Sequence, residues 1–244
     1  MKFQIVSYKS NLPWQLQDEL NCRLFNQSSA DLILFPGWAF QDTNHIENFK
    51  ISITNKKTFG IMELQRLDSR KITNCLYSIQ GGQIEYASLQ YFSTSDDINE
   101  NPVLGEMFLK EFATNKCFQV KRKKVRVIQC GELNILKNEQ ANNNRVKFRF
   151  NDDRIMNAKF HSLLIGSDII LNPQHTEMGN QGKLSRRREY LSAQGRIYIS
   201  TTNAAKGAKN FNNKALHYIY YNGRSVSTDV VEQSKHHTLW ECAI

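Results

Sequence analysis

The sequence predicts one layered α/β domain, and three observations carry that expectation. Short apolar, β-branched runs recur along the chain, amphipathic segments of helical length lie between several of them, and no repeat or linker divides the 244 residues. A chain of this length can bury one large core, so 1–244 reads as a single domain.

Taken in order, Phe3 to Tyr8 is a strand and Trp14 to Phe25 a helix. Leu32 to Phe35, Phe59 to Leu64 and Asn74 to Ile79 are further strands, the last turning at Gly81-Gly82 into a second apolar arm as a hairpin. Ser93 to Pro102 is acidic and helix-breaking and reads as a loop, followed by a helix over Phe108 to Thr114. Val125 to Gln129 is a strand, and the polar stretch Asn138 to Arg145 a loop. Arg154 to Ile165 and Gly182 to Gln194 are helices around the strand Asp168 to Leu171, and the strands Ile197 to Thr201 and His217 to Tyr221 follow.

Charge and cysteines narrow the classes. The opening MKFQIVSYKS lacks the apolar core of a secretory signal and no window has the ~18 apolar residues that cross a bilayer, so a cytoplasmic protein without membrane contact is expected. Five cysteines, Cys22, Cys75, Cys117, Cys130 and Cys242, form no C-x-x-C pair and no metal-ligand spacing, so neither a disulfide framework, a metal nor a cofactor is expected. His236-His237 reads as a solvated pair. Lys and Arg number 32 against 23 Asp and Glu, a formal charge of +9. Part of the excess lies in Lys121, Arg122, Lys123, Lys124 and Arg126 and in Arg186, Arg187 and Arg188, a candidate anion or nucleic-acid patch that also fits a solvated face.

One stretch carries the chemistry. The run VRVIQCGEL ends on Cys130, with Glu132 two residues later. In α/β folds a strand that runs straight into a cysteine delivers a thiol to the strand's carboxyl end, where ligand clefts form; a buried, inert thiol is the plainer alternative.

In order along the chain, DLILFPGWAF, FGIMELQRL, ITNCLYSIQGGQIEY, VRVIQCGEL, GSDIILNPQ and RREYLSAQGRIYISTTNAAKG resemble the successive motifs of the carbon-nitrogen hydrolase (nitrilase and amidase) superfamily, over nearly the whole chain. The resemblance implies a four-layer α-β-β-α sandwich, commonly paired into dimers through its helical layers. It also implies a glutamate base, a lysine that stabilises the tetrahedral intermediate, and a cysteine nucleophile.

Cys130 matches the nucleophile and Glu132 the acidic residue that follows it. The other two positions depart from the pattern. Gly37 follows Pro36 where the family has its glutamate, and Gln90 stands where the family has its lysine. Glu106, in VLGEMF, matches a second family glutamate, Trp38 falls at the pocket mouth, and Gln194-Gly195 replaces a late "E-N". Losing a base costs about 10²- to 10⁴-fold and losing an oxyanion donor a similar factor. The first expectation is therefore a scaffold or binding subunit, at least dimeric, whose amidase chemistry is lost or altered. The second is an active cysteine hydrolase or acyl transferase on an unusual substrate, an anionic one among the candidates, with Glu132 or Glu106 as base. The third is a basic subunit docking on nucleic acid or on a nucleic-acid enzyme.

Overall fold

A computed structural model of the chain describes residues 1–67, 72–176, 179–204 and 216–244. Two sheets face each other. The first has seven strands in the order β14-β15-β1-β2-β3-β4-β5: β1 (Lys2–Tyr8), β2 (Leu32–Leu34), β3 (Phe59–Leu67), β4 (Ile72–Gln80), β5 (Gln83–Leu89), β14 (Asp229–Gln233) and β15 (His237–Ala243). The second has six in the order β13-β12-β11-β10-β7-β6: β6 (Cys117–Val120), β7 (Lys123–Val127), β10 (Ile169–Gln174), β11 (Ile197–Thr202), β12 (His217–Tyr221) and β13 (Arg224–Ser225). A small hairpin pairs β8 (Leu136–Glu139) with β9 (Arg145–Phe148).

Strand alternation sorts the layers. Because successive side chains point to opposite faces, Phe3, Ile5, Leu32, Leu34, Phe59 and Ile61 of the first sheet meet Val125, Val127, Ile169, Leu171, Ile197 and Ile199 of the second in one apolar cluster between the sheets. The alternate residues pack outward. Ile33 and Phe35 lie against Leu24 and Phe25 of α1 (Trp14–Gln27) and Ile46 and Phe49 of α2 (Thr43–Ser52). On the far side Ile170 and Tyr198 pack under α4 (Pro102–Ala113), α5 (Arg154–Ile165) and α6 (Gln181–Ser192). The four-layer α-β-β-α sandwich is therefore present, and β1-β2-β3 and β7-β10-β11 are its parallel cores, apolar on both faces as such strands must be.

Two stretches read as loops are folded. Within Ser93 to Pro102, Thr94 and Asp97 form a capping box on the short helix α3 (Ser95–Ile98), and Asn101 caps α4 with Pro102 in its first turn, so α4 starts six residues before the expected helix. Within Asn138 to Arg145, a turn with Asn143 and Asn144 at φ of 53° and 56° closes the β8-β9 hairpin; asparagine tolerates that left-handed region. The Gly81-Gly82 hairpin forms as expected, at φ of 63° and 81°. His236 and His237 are not a solvated pair: His237 is buried against Ser234 and Glu232, and His236 bonds Ser10.

Candidate active site

The carboxyl ends of the parallel strands of both sheets converge, which is where ligand sites form in such sheets. Gly37 follows β2, Glu63 lies on β3, Cys130 follows β7 and His175 directly follows β10. Backbone bonds stitch them together: Gly37 N–H donates to the Gln174 carbonyl at 3.0 Å, Asn203 N–H donates to the same carbonyl at 3.0 Å, and the Asn203 amide donates to the Gly37 carbonyl at 3.0 Å.

Cys130 sits at the start of a 3₁₀ turn, Gly131–Ile135. That turn runs against the backbone of the acidic segment, because a Cβ on Gly131 would lie 2.5 Å from the Ser93 carbonyl oxygen and 2.6 Å from that of Phe92. Gly131 N–H donates to Gln90 Oε1 at 3.3 Å, which brings the Gln90 side chain to the residue after the thiol.

The Cys130 thiol has the His175 imidazole as its hydrogen-bond partner. The ring's Nε2 meets Glu63 Oε1 at 2.5 Å, a tight ion-pair contact in which the N–H does not point squarely at the oxygen. Trp38 lies flat on the ring, centroids 4.9 Å apart and planes 7° apart, and its indole N–H donates to Asn74 Oδ1 at 2.7 Å. Trp38 and Asn74 both adopt positive φ, 58° and 59°, so two non-glycine residues hold uncommon backbone conformations beside the ring. Burial alone would lower the His175 pKa, but the Glu63 carboxylate and the Cys130 contact outweigh it and push it up to about 10. His175 is therefore an imidazolium at neutral pH.

Behind this triad lies a buried polar chain. Gln129 donates through Nε2 to Glu63 Oε2 at 2.9 Å and to the Asn74 carbonyl at 2.7 Å, and its Oε1 accepts from Lys116 Nζ at 2.9 Å. Lys116 Nζ is also ion-paired with Glu132, both side chains fully buried. Desolvation lowers the Lys116 pKa, opposed by the Glu132 charge.

The site residues expected from sequence divide accordingly. Cys130, Gln90, Trp38 and Gly37 come together. Glu132 is adjacent and engaged: Oε1 accepts from Lys116 and from Tyr91 N–H at 3.0 Å, Oε2 from Gln129 N–H at 3.0 Å, so it anchors the turn. Glu106 is exposed on the outer face of α4, away from this cluster.

The basic patch is broken up. Lys121, Arg122, Lys123 and Lys124 are exposed at the β6-β7 turn, the end of β7 opposite Cys130, where Lys121 pairs with Asp31 at 2.5 Å and Lys123 with Asp168 at 3.0 Å. Arg126 is buried on the carbonyls of Phe112, Leu163 and Gly166. Arg186 is exposed and pairs with Glu189, Arg187 bonds Asn138 and the Leu133 carbonyl, and Arg188 is buried. Arg126 and Arg188 are thus internal and Arg187 is half-buried, so the three form no exposed patch. Among the described residues no cluster of three or more metal-ligating side chains occurs, and no helix is long and apolar enough to cross a membrane.

Sequence reasoning missed His175, Glu63, Gln129 and Lys116. The available signal was GSDIILNPQH, a strand motif of the resemblance that ends directly on a histidine. The last residues of the RREYLSAQGRIYISTTNAAKG motif, 205–207, lie outside the described residues.

No protein-family profile matches the sequence, and no curated protein does. Solved structures do. An amidase variant from Nesterenkonia sp., carrying the acetamide moiety of fluoroacetamide on its active-site cysteine, matches 99% of this chain and 89% of its own, at TM-score 0.59 and 10% identity. A CN-hydrolase superfamily protein from Xanthomonas campestris with an arsenic adduct in its active site matches 100% and 91%, at TM-score 0.58 and 8% identity. A glutamine-dependent NAD(+) synthetase from Cytophaga hutchinsonii matches 99% of this chain at TM-score 0.58 and 10% identity, and the chain spans 42% of that longer protein.

The fold is that of the carbon-nitrogen hydrolase superfamily. This chain has a glycine after the strand-end proline, and a histidine and a glutamate gathered around the strand-end cysteine.

Proposed function

We propose that the protein is a cysteine-dependent hydrolase of carbon-nitrogen bonds in which His175, oriented by Glu63, does the proton transfer that the residue at Gly37 cannot. The carrying observation is the His175 imidazole hydrogen-bonded to Cys130 and in close contact, through Nε2, with Glu63. A nucleophile, a base and a group that orients the base are the three parts of a thiol triad.

The chemistry balances with these groups. A cation bonded to a sulfur favours its anionic form. The Cys130 sulfur attacks the amide carbon, forming a C–S bond. The C–N bond then breaks, and the amine leaves with the proton of the His175 imidazolium. A water adds to the thioester carbon, its proton passing to His175, and the C–S bond breaks to release the acid and restore the pair. Glu63 keeps the ring aligned throughout and stabilises its charge whenever it carries the proton, and Gly131 N–H, on a long bond to Gln90, is the backbone donor next to the sulfur for the oxyanion.

Incubation with a panel of short amides and nitriles, followed by ammonia release, tests this. Turnover that disappears in Cys130→Ala is expected. Absence of turnover together with absence of any acyl adduct on Cys130 by intact mass would overturn it. That outcome supports a second reading, an oligomeric scaffold or binding subunit, whose specific support is Gly37 and Gln90 at the positions of the missing glutamate and lysine.

A further inference from the structure

Trp38 is held in a backbone conformation that a bulky residue does not favour. Its φ of 58° lies in the left-handed region, and such outliers persist only where the surrounding structure fixes them. Bonds on each side do so here. Gly37 donates its N–H to the Gln174 carbonyl and accepts at its own carbonyl from the Asn203 amide, each at 3.0 Å. From α1, the buried Gln17 donates through Nε2 to the carbonyls of Trp38 at 3.0 Å and Ala39 at 2.8 Å, and the buried Asn21 donates to the Ala39 carbonyl at 2.8 Å.

What this backbone achieves is the placement of the indole. One face lies parallel to the His175 imidazole, and the indole N–H donates to Asn74 Oδ1. The Asn74 carbonyl accepts from Gln129 Nε2, the same amide that donates to Glu63 Oε2, and Glu63 Oε1 contacts His175 Nε2. The contacts therefore run in a closed circuit from Trp38 through Asn74, Gln129, Glu63 and His175 back to Trp38. Gln129 is also the residue before Cys130, so the circuit is tied to the backbone that carries the thiol.

The stacked face does more than fill space. An aromatic ring attracts a cation over its face, Trp most strongly, and the attraction grows where water is excluded. With its centroid 4.9 Å from that of the imidazole, the indole favours the protonated ring over the neutral one. A ring with an indole against one face also cannot turn about its Cβ–Cγ bond without displacing it.

We propose that Trp38, locked by Asn74, is a positioning residue of the candidate site, a clamp that keeps the His175 ring in the orientation that meets Cys130 and Glu63 and so speeds activation of the thiol. It acts through His175 rather than on the substrate. The inference rests on the hydrolase reading for its effect on turnover, whereas the clamp itself needs no substrate.

The test uses the full chain and reads His175 and Cys130 directly. In the wild type, NMR is expected to show the His175 ring protons shifted upfield by the indole; no such shift overturns the inference and needs no variant. In Trp38→Leu, His175 is expected to titrate about one pH unit lower. Alkylation of Cys130 by iodoacetamide at pH 7 is expected to slow at least about threefold, and kcat on short amides to fall about tenfold with KM unchanged. Trp38→Phe, which keeps a ring face and drops the N–H, is expected to restore the His175 titration and part of the alkylation rate. Asn74→Gly, which accepts the positive φ and removes the acceptor, is expected to behave like Trp38→Phe. A merely structural role would lower Tm and move none of these, so Trp38→Leu with wild-type His175 titration and wild-type alkylation overturns the inference. If Trp38→Leu does not fold, wild-type alkylation rates in both Trp38→Phe and Asn74→Gly overturn it. If the variants slow alkylation but the wild type turns over no amide, the hydrolase reading fails and the clamp stands. If wild type and Trp38→Leu hydrolyse amides equally, the clamp fails and the hydrolase reading stands.

Discussion

His175 occupies the space that any side chain at position 37 would need. A Cβ built on Gly37 would lie 2.7 Å from the His175 backbone nitrogen and 2.8 Å from the Gln174 carbonyl carbon, with the imidazole closing over it as well. A side chain after Pro36 and the imidazole after Gln174 therefore exclude each other in this packing.

Gly37→Ala tests that packing. The added methyl meets backbone atoms that cannot rotate aside, so a loss of about 1–3 kcal/mol is expected. Thermal unfolding should show it as a fall in Tm of about 2–4 °C per kcal/mol in a domain of this size. An unchanged Tm would mean that the ring and the strand end can separate at no cost.

Glu63→Gln keeps the shape and removes the charge that holds His175 as an imidazolium. The ring's pKa should fall, and turnover should drop by about 10²- to 10⁴-fold if the charged ring is what protonates the leaving amine. Carbon-resolved NMR of His175 across pH reads the first effect independently of any substrate.

Stability should fall at both ends of the pH range, for opposite reasons. His175 is raised to about 10 in the fold against about 6.5 unfolded, so between these values the native state binds more protons. Its contribution is complete below about 6.5 and is lost as pH rises through about 10. His217, stacked on Trp240 and lowered to about 4 by burial, acts in reverse: the native state binds fewer protons there, and stability is lost as pH falls from about 6.5 to 4. Denaturant titrations across pH should show both slopes, with His217→Gln flattening only the acid one.

Lys116 and Glu132 form a fully buried pair, so removing one partner strands the other. Lys116→Met should cost about 3–5 kcal/mol, and Lys116→Met with Glu132→Gln should recover much of it. A double-mutant cycle in urea measures the coupling; additive losses would mean the two charges are held apart in solution.

What the sequence shows and hides follows from the range of the forces involved. The two sheets are legible because Phe3-Ile5, Leu32-Leu34 and Val125-Val127 repeat every second residue, a pattern each segment carries by itself. Cys130 is legible because its own strand leads into it. The edge strand β14 and the helix α2 are not: β14 is almost wholly exposed and α2 buries only Ile46 and Phe49, so neither has a strong local pattern. His175 escapes for another reason. Its neighbours Gly37, Glu63 and Cys130 are brought together by three separate strands, so no single segment carries the pattern. The basic runs mislead because Arg126 and Arg188 look like surface charge in sequence and are interior in the fold.

The central claim is that His175 activates Cys130, and the most direct measurement is the second-order rate of iodoacetamide alkylation at Cys130, followed by peptide mass spectrometry, in the wild-type protein and in His175→Gln at pH 7. The account predicts rapid alkylation of Cys130 in the wild type and a fall of at least about tenfold in His175→Gln, with the fold intact by circular dichroism. Equal rates in the two proteins, or a wild-type Cys130 no more reactive than the half-buried Cys117 and Cys22, would contradict it.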